Sequence, residues 1–173
     1  MAELPLVARL AAAEIGDTFN QYACSAARRR RLSDYLARRA GAQLLLVGEA
    51  AGYRGARVSG LPFTSERQLT GAGPAEATAT IVHRVLRELG LEDDVLLWNV
   101  VPTHPHRPRE PSSNRRPHAD EIAAARPFLD EVARGREVVP VGRVAEAALD
   151  LPGVRHPSHG GAAAFREGLA RRA

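Results

Sequence analysis

Short apolar runs alternate with longer amphipathic stretches along the whole chain. Leu44-Leu45-Leu46-Val47 and Val95-Leu96-Leu97-Trp98 have no polar break and are too short for buried helices, so they read as strands covered on both faces. Val138 to Val141 repeats the pattern, and Val154 with Arg155 starts a shorter fourth run. Between the first two strands, Ile81, Val82, Val85, Leu86 and Leu89 fall at helical spacing, with Pro74 opening the helix and Gly90 closing it. Further helices are expected over 4–14, 24–40, 119–132 and 142–149, with a last one ending near 170. Strands alternating with helices predict an α/β fold: a three-layer α/β/α sandwich around a central four-stranded parallel sheet, in one domain over 1–173.

The stretch after the first strand breaks this rhythm. Gly48, Gly52, Gly55 and Gly60 follow Val47 closely, so the strand opens into a glycine-rich loop at its carboxyl end. In open α/β sheets that edge is where ligands bind. The spacing matches neither a G-x-G-x-x-G dinucleotide turn nor a lysine-bearing phosphate loop. A second long loop, 100–117, follows the second strand and is rich in proline, histidine and arginine; structureless loops of that length are usually functional or disordered.

Composition narrows the picture. With 45% apolar and 25% charged residues, the chain has an ordinary globular balance. No apolar stretch approaches the roughly 20 residues that span a bilayer, and the N-terminus carries no signal-peptide pattern. A single cysteine, Cys24, excludes an internal disulfide and any cysteine-held cluster. His104 and His106, one residue apart with no cysteine nearby, make poor metal-ligand spacing, so no metal is expected. These features describe a cytoplasmic protein, expected to be a monomer without membrane contact. All 24 basic residues are arginine and the net charge is +4; arginine forks suit phosphate, which makes nucleic acid a candidate partner. The run Arg28 to Arg31 reads as a solvated helix face.

Three strand ends point to one edge: Glu49, Asn99 and His156. Asn99 can cap a turn, or its amide can read a base edge with one acceptor and two donors. His156 precedes Pro157 and is therefore extended, free to face the sheet end and to stabilise negative charge developing on an oxygen. Phe63, behind Pro62, fits either a core position or a platform for a planar ligand.

Taken in order, these segments resemble the uracil-DNA glycosylase superfamily. Gly48-Glu49-Ala50-Ala51-Gly52 looks like its first motif, closest to the G-E-A-P-G form of the thermophilic iron–sulfur class. Gly60-Leu61-Pro62-Phe63-Thr64 is similar to the segment whose phenylalanine stacks on uracil, and Leu97-Trp98-Asn99 to the strand ending in the uracil-reading asparagine. Asn114-Arg115-Arg116-Pro117 resembles the connecting-loop motif, and His156-Pro157-Ser158 the start of the second signature. The match spans about 44 to 161 and departs in places. One cysteine cannot supply the four of the iron–sulfur class, so no cofactor is implied. Ala50 stands where the best-known class has a water-activating aspartate, and Ala51 replaces the usual proline. His159 and Gly160 replace the proline–leucine pair that fills the gap left by a flipped base.

The resemblance implies a DNA partner and a pocket made by Gly48, Ala50, Gly52, Phe63 and Asn99. His156 would stabilise the leaving base, and Glu49, Glu66 or backbone carbonyls would position water. Arg107, Arg109, Arg115 and Arg116, with Ser158 and His159, would hold the DNA. The implied activity is excision of uracil or a related deaminated base. Two alternatives stay open: a superfamily member that binds DNA or lesions with little cleavage, and an α/β hydrolase of small nucleosides.

Overall fold

The computed structural model describes residues 3–172. Helices α1 (Pro5–Ala12) and α2 (Ala26–Arg38) precede strand β1 (Leu44–Ala50). Two short helices, α3 (Ala56–Ser59) and α4 (Glu66–Thr70), lie in the glycine-rich segment and lead to α5 (Ala77–Glu88) and β2 (Val95–Val101). Then come α6 (Ala119–Ala133), β3 (Glu137–Pro140), α7 (Arg143–Leu149) and α8 (Ala162–Ala170).

The sheet is parallel throughout, in the order β2-β1-β3. Its two faces bury alternate residues, as the pleat requires. Leu45 and Val47 of β1, with Leu96, Trp98 and Val100 of β2, pack under α1, α2, α6 and α7. Leu44 and Leu46, with Val95, Leu97 and Val139, pack under α5 and α8, and Phe63 joins this second face. Trp98 is fully enclosed. Burying one such side chain stabilises the fold by about 1.5–3 kcal/mol. The three-layer sandwich is thus present.

The sheet has three strands rather than the expected four. The fourth run contributes one parallel bridge, Val141 to Val154, in which Val154 N donates to Pro140 O at 2.8 Å and Gly142 N donates to Val154 O at 2.9 Å. Pro152 and Pro157 flank this segment and have no N–H to give to a ladder. The bridge still places His156 just beyond the sheet's end.

Two boundaries also move. β2 runs on to Val101, so Asn99 lies inside the strand, paired with Gly48, instead of ending it. The helix expected from Pro74 starts at Ala77, because Glu76 takes an extended conformation with φ −124° and ψ 123°. No described helix is long and apolar enough to cross a membrane.

Candidate active site

The carboxyl ends of β1 and β2 open into a cleft of about 380 Å³, within the range of small-molecule sites, roughly 300–1,000 Å³. Its floor is built by an absence. Gly48 lies opposite Asn99, and a Cβ on Gly48 would sit 2.8 Å from both Asn99 Oδ1 and Phe63 Cε2. Only glycine lets the ring and the amide converge there. Both are buried, and among the described residues the Asn99 side chain makes no hydrogen bond. Its donor and acceptor are therefore available to a ligand.

Phe63 holds a left-handed backbone, φ 49°, which is uncommon for a bulky residue and persists only when its surroundings fix it. They do. Ser59 Oγ accepts from Leu61 N at 3.0 Å and donates to Thr64 O at 2.6 Å. Thr64 Oγ1 donates to Pro62 O at 2.9 Å. From α2, Arg28 Nε donates to Val58 O at 2.8 Å, and Arg31 to Ser59 O at 3.1 Å. The arginine run is thus not simply a solvated face: two of its members clamp the loop that presents Phe63, and Arg29 donates to Tyr22 O at 2.8 Å.

His156 lines the cleft from the opposite side. Its Nδ1 accepts from Ser158 N at 3.2 Å and lies 2.7 Å from Ser158 Oγ. An N–H donated to Nδ1 leaves the neutral ring's proton on Nε2. Burial holds the imidazole below its ordinary pKa, and the charges of His159 and Arg155 push the same way. His156 is therefore a neutral donor near pH 7. His159 is exposed, in a left-handed conformation, 3.0 Å from Ser158 Oγ.

The carboxylates divide. Glu49 lines the cleft half-buried; burial raises its pKa, and Arg116 partly offsets this. Glu66 does not line the cleft. It sits at the start of α4 in a two-pronged ion pair with Arg31, at 2.8 and 3.0 Å, which occupies both of its oxygens. Glu76, by contrast, lines the cleft, and burial raises its pKa. Its carboxylate lies against the glycine loop, where a Cβ on Gly55 would come within 2.8 Å of its Cδ. Among the described residues it has no ion pair. Glu76 carries no sequence signal of its own, since the spacing predicts a helix from Pro74 that includes it, and the extended backbone at this residue is a feature of the fold.

The loop arginines also divide. Arg115 gives its fork to Glu121, at 2.8 and 2.5 Å, its Nε to His106 O at 2.8 Å, and a further bond to Arg116 O. Glu121 is fully buried. Burial works against its charge, but the hydrogen bonds from Arg115 and His118 N outweigh it and hold its pKa low. Arg115 is thus committed within the protein and is not a free phosphate arm, although it lines the cleft wall. Arg116 is exposed at the rim. Arg107 and Arg109 lie outside the cleft on an exposed turn, Arg107 facing Glu110 at 3.5 Å.

Two more residues fix the walls. Asn114 Oδ1 accepts from Tyr53 N at 2.8 Å, tying the two long loops together. His104 is buried, with Nδ1 2.7 Å from Ala51 O; since a carbonyl only accepts, the proton is on Nδ1. That bond pins the loop beside Ala50 and Ala51. Cys24, the one cysteine, is exposed, and a four-thiolate cluster cannot be assembled on it.

Comparison with known proteins bears on the family and the fold. The model of the uracil DNA glycosylase superfamily matches residues 37–168. The crystal structure of wild-type SMUG2 from Pedobacter heparinus superposes with a TM-score of 0.68 over 96% of each chain, at 10% sequence identity. That likeness is one of fold. No curated protein sequence matches the chain.

Proposed function

The chain belongs to the uracil DNA glycosylase superfamily, and from that premise we propose that it excises uracil, or a closely related deaminated base, from DNA and leaves an abasic site. The observation that carries the reading is the unpartnered Asn99 amide, held against Phe63 over Gly48 at the closed end of the cleft. A base within a duplex is out of reach, so the nucleotide enters flipped or from a single strand. Phe63 stacks on the ring. Asn99 Oδ1 accepts from uracil N3–H while its Nδ2 donates to O4. Cytosine presents the reverse pattern and would leave buried polar groups unpaired, which a site built on hydrogen bonds rejects strongly.

Chemistry then divides between two sides of the cleft. The bond between C1′ and N1 breaks with its electron pair going to the base, and the sugar becomes an oxocarbenium ion. His156 Nε2–H donates to uracil O2, where the negative charge collects. Water adds to C1′ and gives up a proton, which balances the negative charge of the departing base so that uracil and an abasic sugar hydroxyl are the products. Glu49 and Glu76 are the two carboxylates that line the cleft, and either can orient that water. Little base strength is needed, because the sugar cation is so electrophilic. With Glu66 paired to Arg31, its part in this step lapses.

The second reading, a binder with little cleavage, draws on Ala50 at the cleft wall and on His159-Gly160 where a wedge residue would enter a duplex. A fluorescent single-stranded oligonucleotide with one uracil, treated with protein and then alkali, separates them. Strand scission supports excision. Retention without scission supports the binder, and the absence of both points away from DNA.

A further inference from the structure

The base-sized cleft holds no more than one nucleotide's base, and of the two arginines at its wall Arg115 is bound to Glu121, leaving Arg116 at the rim. A second hollow, about 590 Å³, opens beside the first. Its lining includes Tyr53, Arg54, Arg57, Arg67, Pro74 and Ala75, and no carboxylate. Gly52, Ala56 and Glu76, their chain neighbours, line the first cleft. The two hollows therefore share one ridge, made by 52–57 and 74–76.

The arginines here differ from ordinary surface charges. The Arg57 guanidinium lies 5.1 Å from the centroid of the Tyr53 ring and 5.3 Å from that of Phe19. Two aromatic faces restrict its motion, and a guanidinium held this way presents its donors along its own plane. Its Nε is buried and has no partner among the described residues. Arg54 is exposed and has neither hydrogen bond nor ion pair among the described residues. Arg67 gives only its Nε to Gly73 O, at 3.0 Å, which leaves its terminal donors free. Three guanidinium groups around a hollow with no acid fit an anion with several oxygens. Two hollows sharing one ridge fit a polymer that presents a base to one and its backbone to the other.

We propose that this second hollow is a subsite for the phosphodiester backbone next to the extruded nucleotide, with Arg54, Arg57 and Arg67 contacting its phosphates. The assignment rests on the reading of the chain as a protein that acts on DNA. The strand crosses the ridge at 52–57, so its hold depends on nucleotides beyond the base pocket and not on the base itself.

The test uses labelled single-stranded oligodeoxynucleotides that contain no uracil, one short and one long, titrated by fluorescence anisotropy over a salt series. Wild-type protein is compared with the double variant Arg54→Ala/Arg67→Ala, whose exposed side chains leave the melting temperature unchanged. On the long oligonucleotide the variant should bind about tenfold more weakly, and the slope of log K against log salt should flatten by about 1.4, the value for two lost contacts to single-stranded phosphates. The short oligonucleotide should bind both proteins alike. Unchanged affinity and slope on the long strand would overturn the proposal, and so would equal losses on both lengths, which mark a general charge effect. Since nothing is cleaved, the result is independent of excision: an intact arginine effect with no uracil release would count against the glycosylase reading alone.

Discussion

Gly48 and Asn99 face each other across neighbouring parallel strands, and the missing Cβ of the glycine is the space into which the asparagine's amide and the ring of Phe63 close. The base pocket depends on this pair more than on either motif alone. Adding one methyl group at Gly48 must displace Phe63 or Asn99, since a Cβ there lies 2.8 Å from both. Gly48→Ala should lower single-turnover excision by about a hundredfold, the scale of a 1 Å misplacement, with overpacking of about 1–3 kcal/mol seen in denaturant melts. Full activity in a stable variant would show that the pocket forms elsewhere.

Asn99→Asp tests base reading directly. A carboxylate cannot donate to uracil O4, so uracil release should fall, and a protonated carboxyl offers a different pattern that admits cytosine. Paired assays on uracil- and cytosine-containing single strands measure the switch. Unaltered rate and selectivity would remove Asn99 from the site.

His156 should matter more than either cleft carboxylate. Removing a donor to a developing oxyanion costs about a hundred- to a thousandfold in rate, whereas water attack on an oxocarbenium ion needs little base. His156→Ala is therefore expected to lower single-turnover excision from single-stranded DNA by more than Glu49→Gln or Glu76→Gln does. The reverse order would make water the critical party.

Arg115 and Arg116 are neighbours with different work. Arg115→Ala leaves the buried Glu121 carboxylate without its partner and should cost about 3–5 kcal/mol, a fall in melting temperature of about 2–4 °C per kcal/mol at this size. Arg116→Ala should leave the melt unchanged and weaken DNA binding. Equal melting temperatures for the two variants would refute the structural role of the ion pair.

Glu76 links the site to pH. Burial raises its pKa from 4.5, so the folded protein binds a proton that the unfolded chain has released. Folding then loses stability as pH rises from the unfolded value through the raised folded one. Glu76→Gln removes that charge and should raise the melting temperature at neutral pH, with the gain shrinking towards zero below about pH 4.5. Thermal melts across this range decide it. A gain that is constant with pH would mean the carboxylate is not desolvated.

Much of this molecule was legible in its residue order. Uninterrupted apolar runs of four residues are too short for buried helices, so Leu44 to Val47 and Val95 to Trp98 located the sheet, and the glycines after Val47 located the edge where the cleft opens. Phe63 and His156 lie beside that edge where Pro62 and Pro157, both local signals, turn the chain, whereas Asn99, expected to end its strand, lies inside it opposite Gly48. Partnership is not local. Whether Glu66 or Glu76 faces the cleft depends on Arg31, 35 residues before Glu66, reaching across from α2 to take one of them. Whether Arg115 or Arg54 is free depends on Glu121 being buried beneath only the first. Nor does spacing show that Pro152 and Pro157 reduce the fourth strand to a single bridge, since a strand also needs a neighbour with groups left to pair. Charge type and position belong to the sequence, but which charges remain available to a ligand is decided only when distant segments pack together.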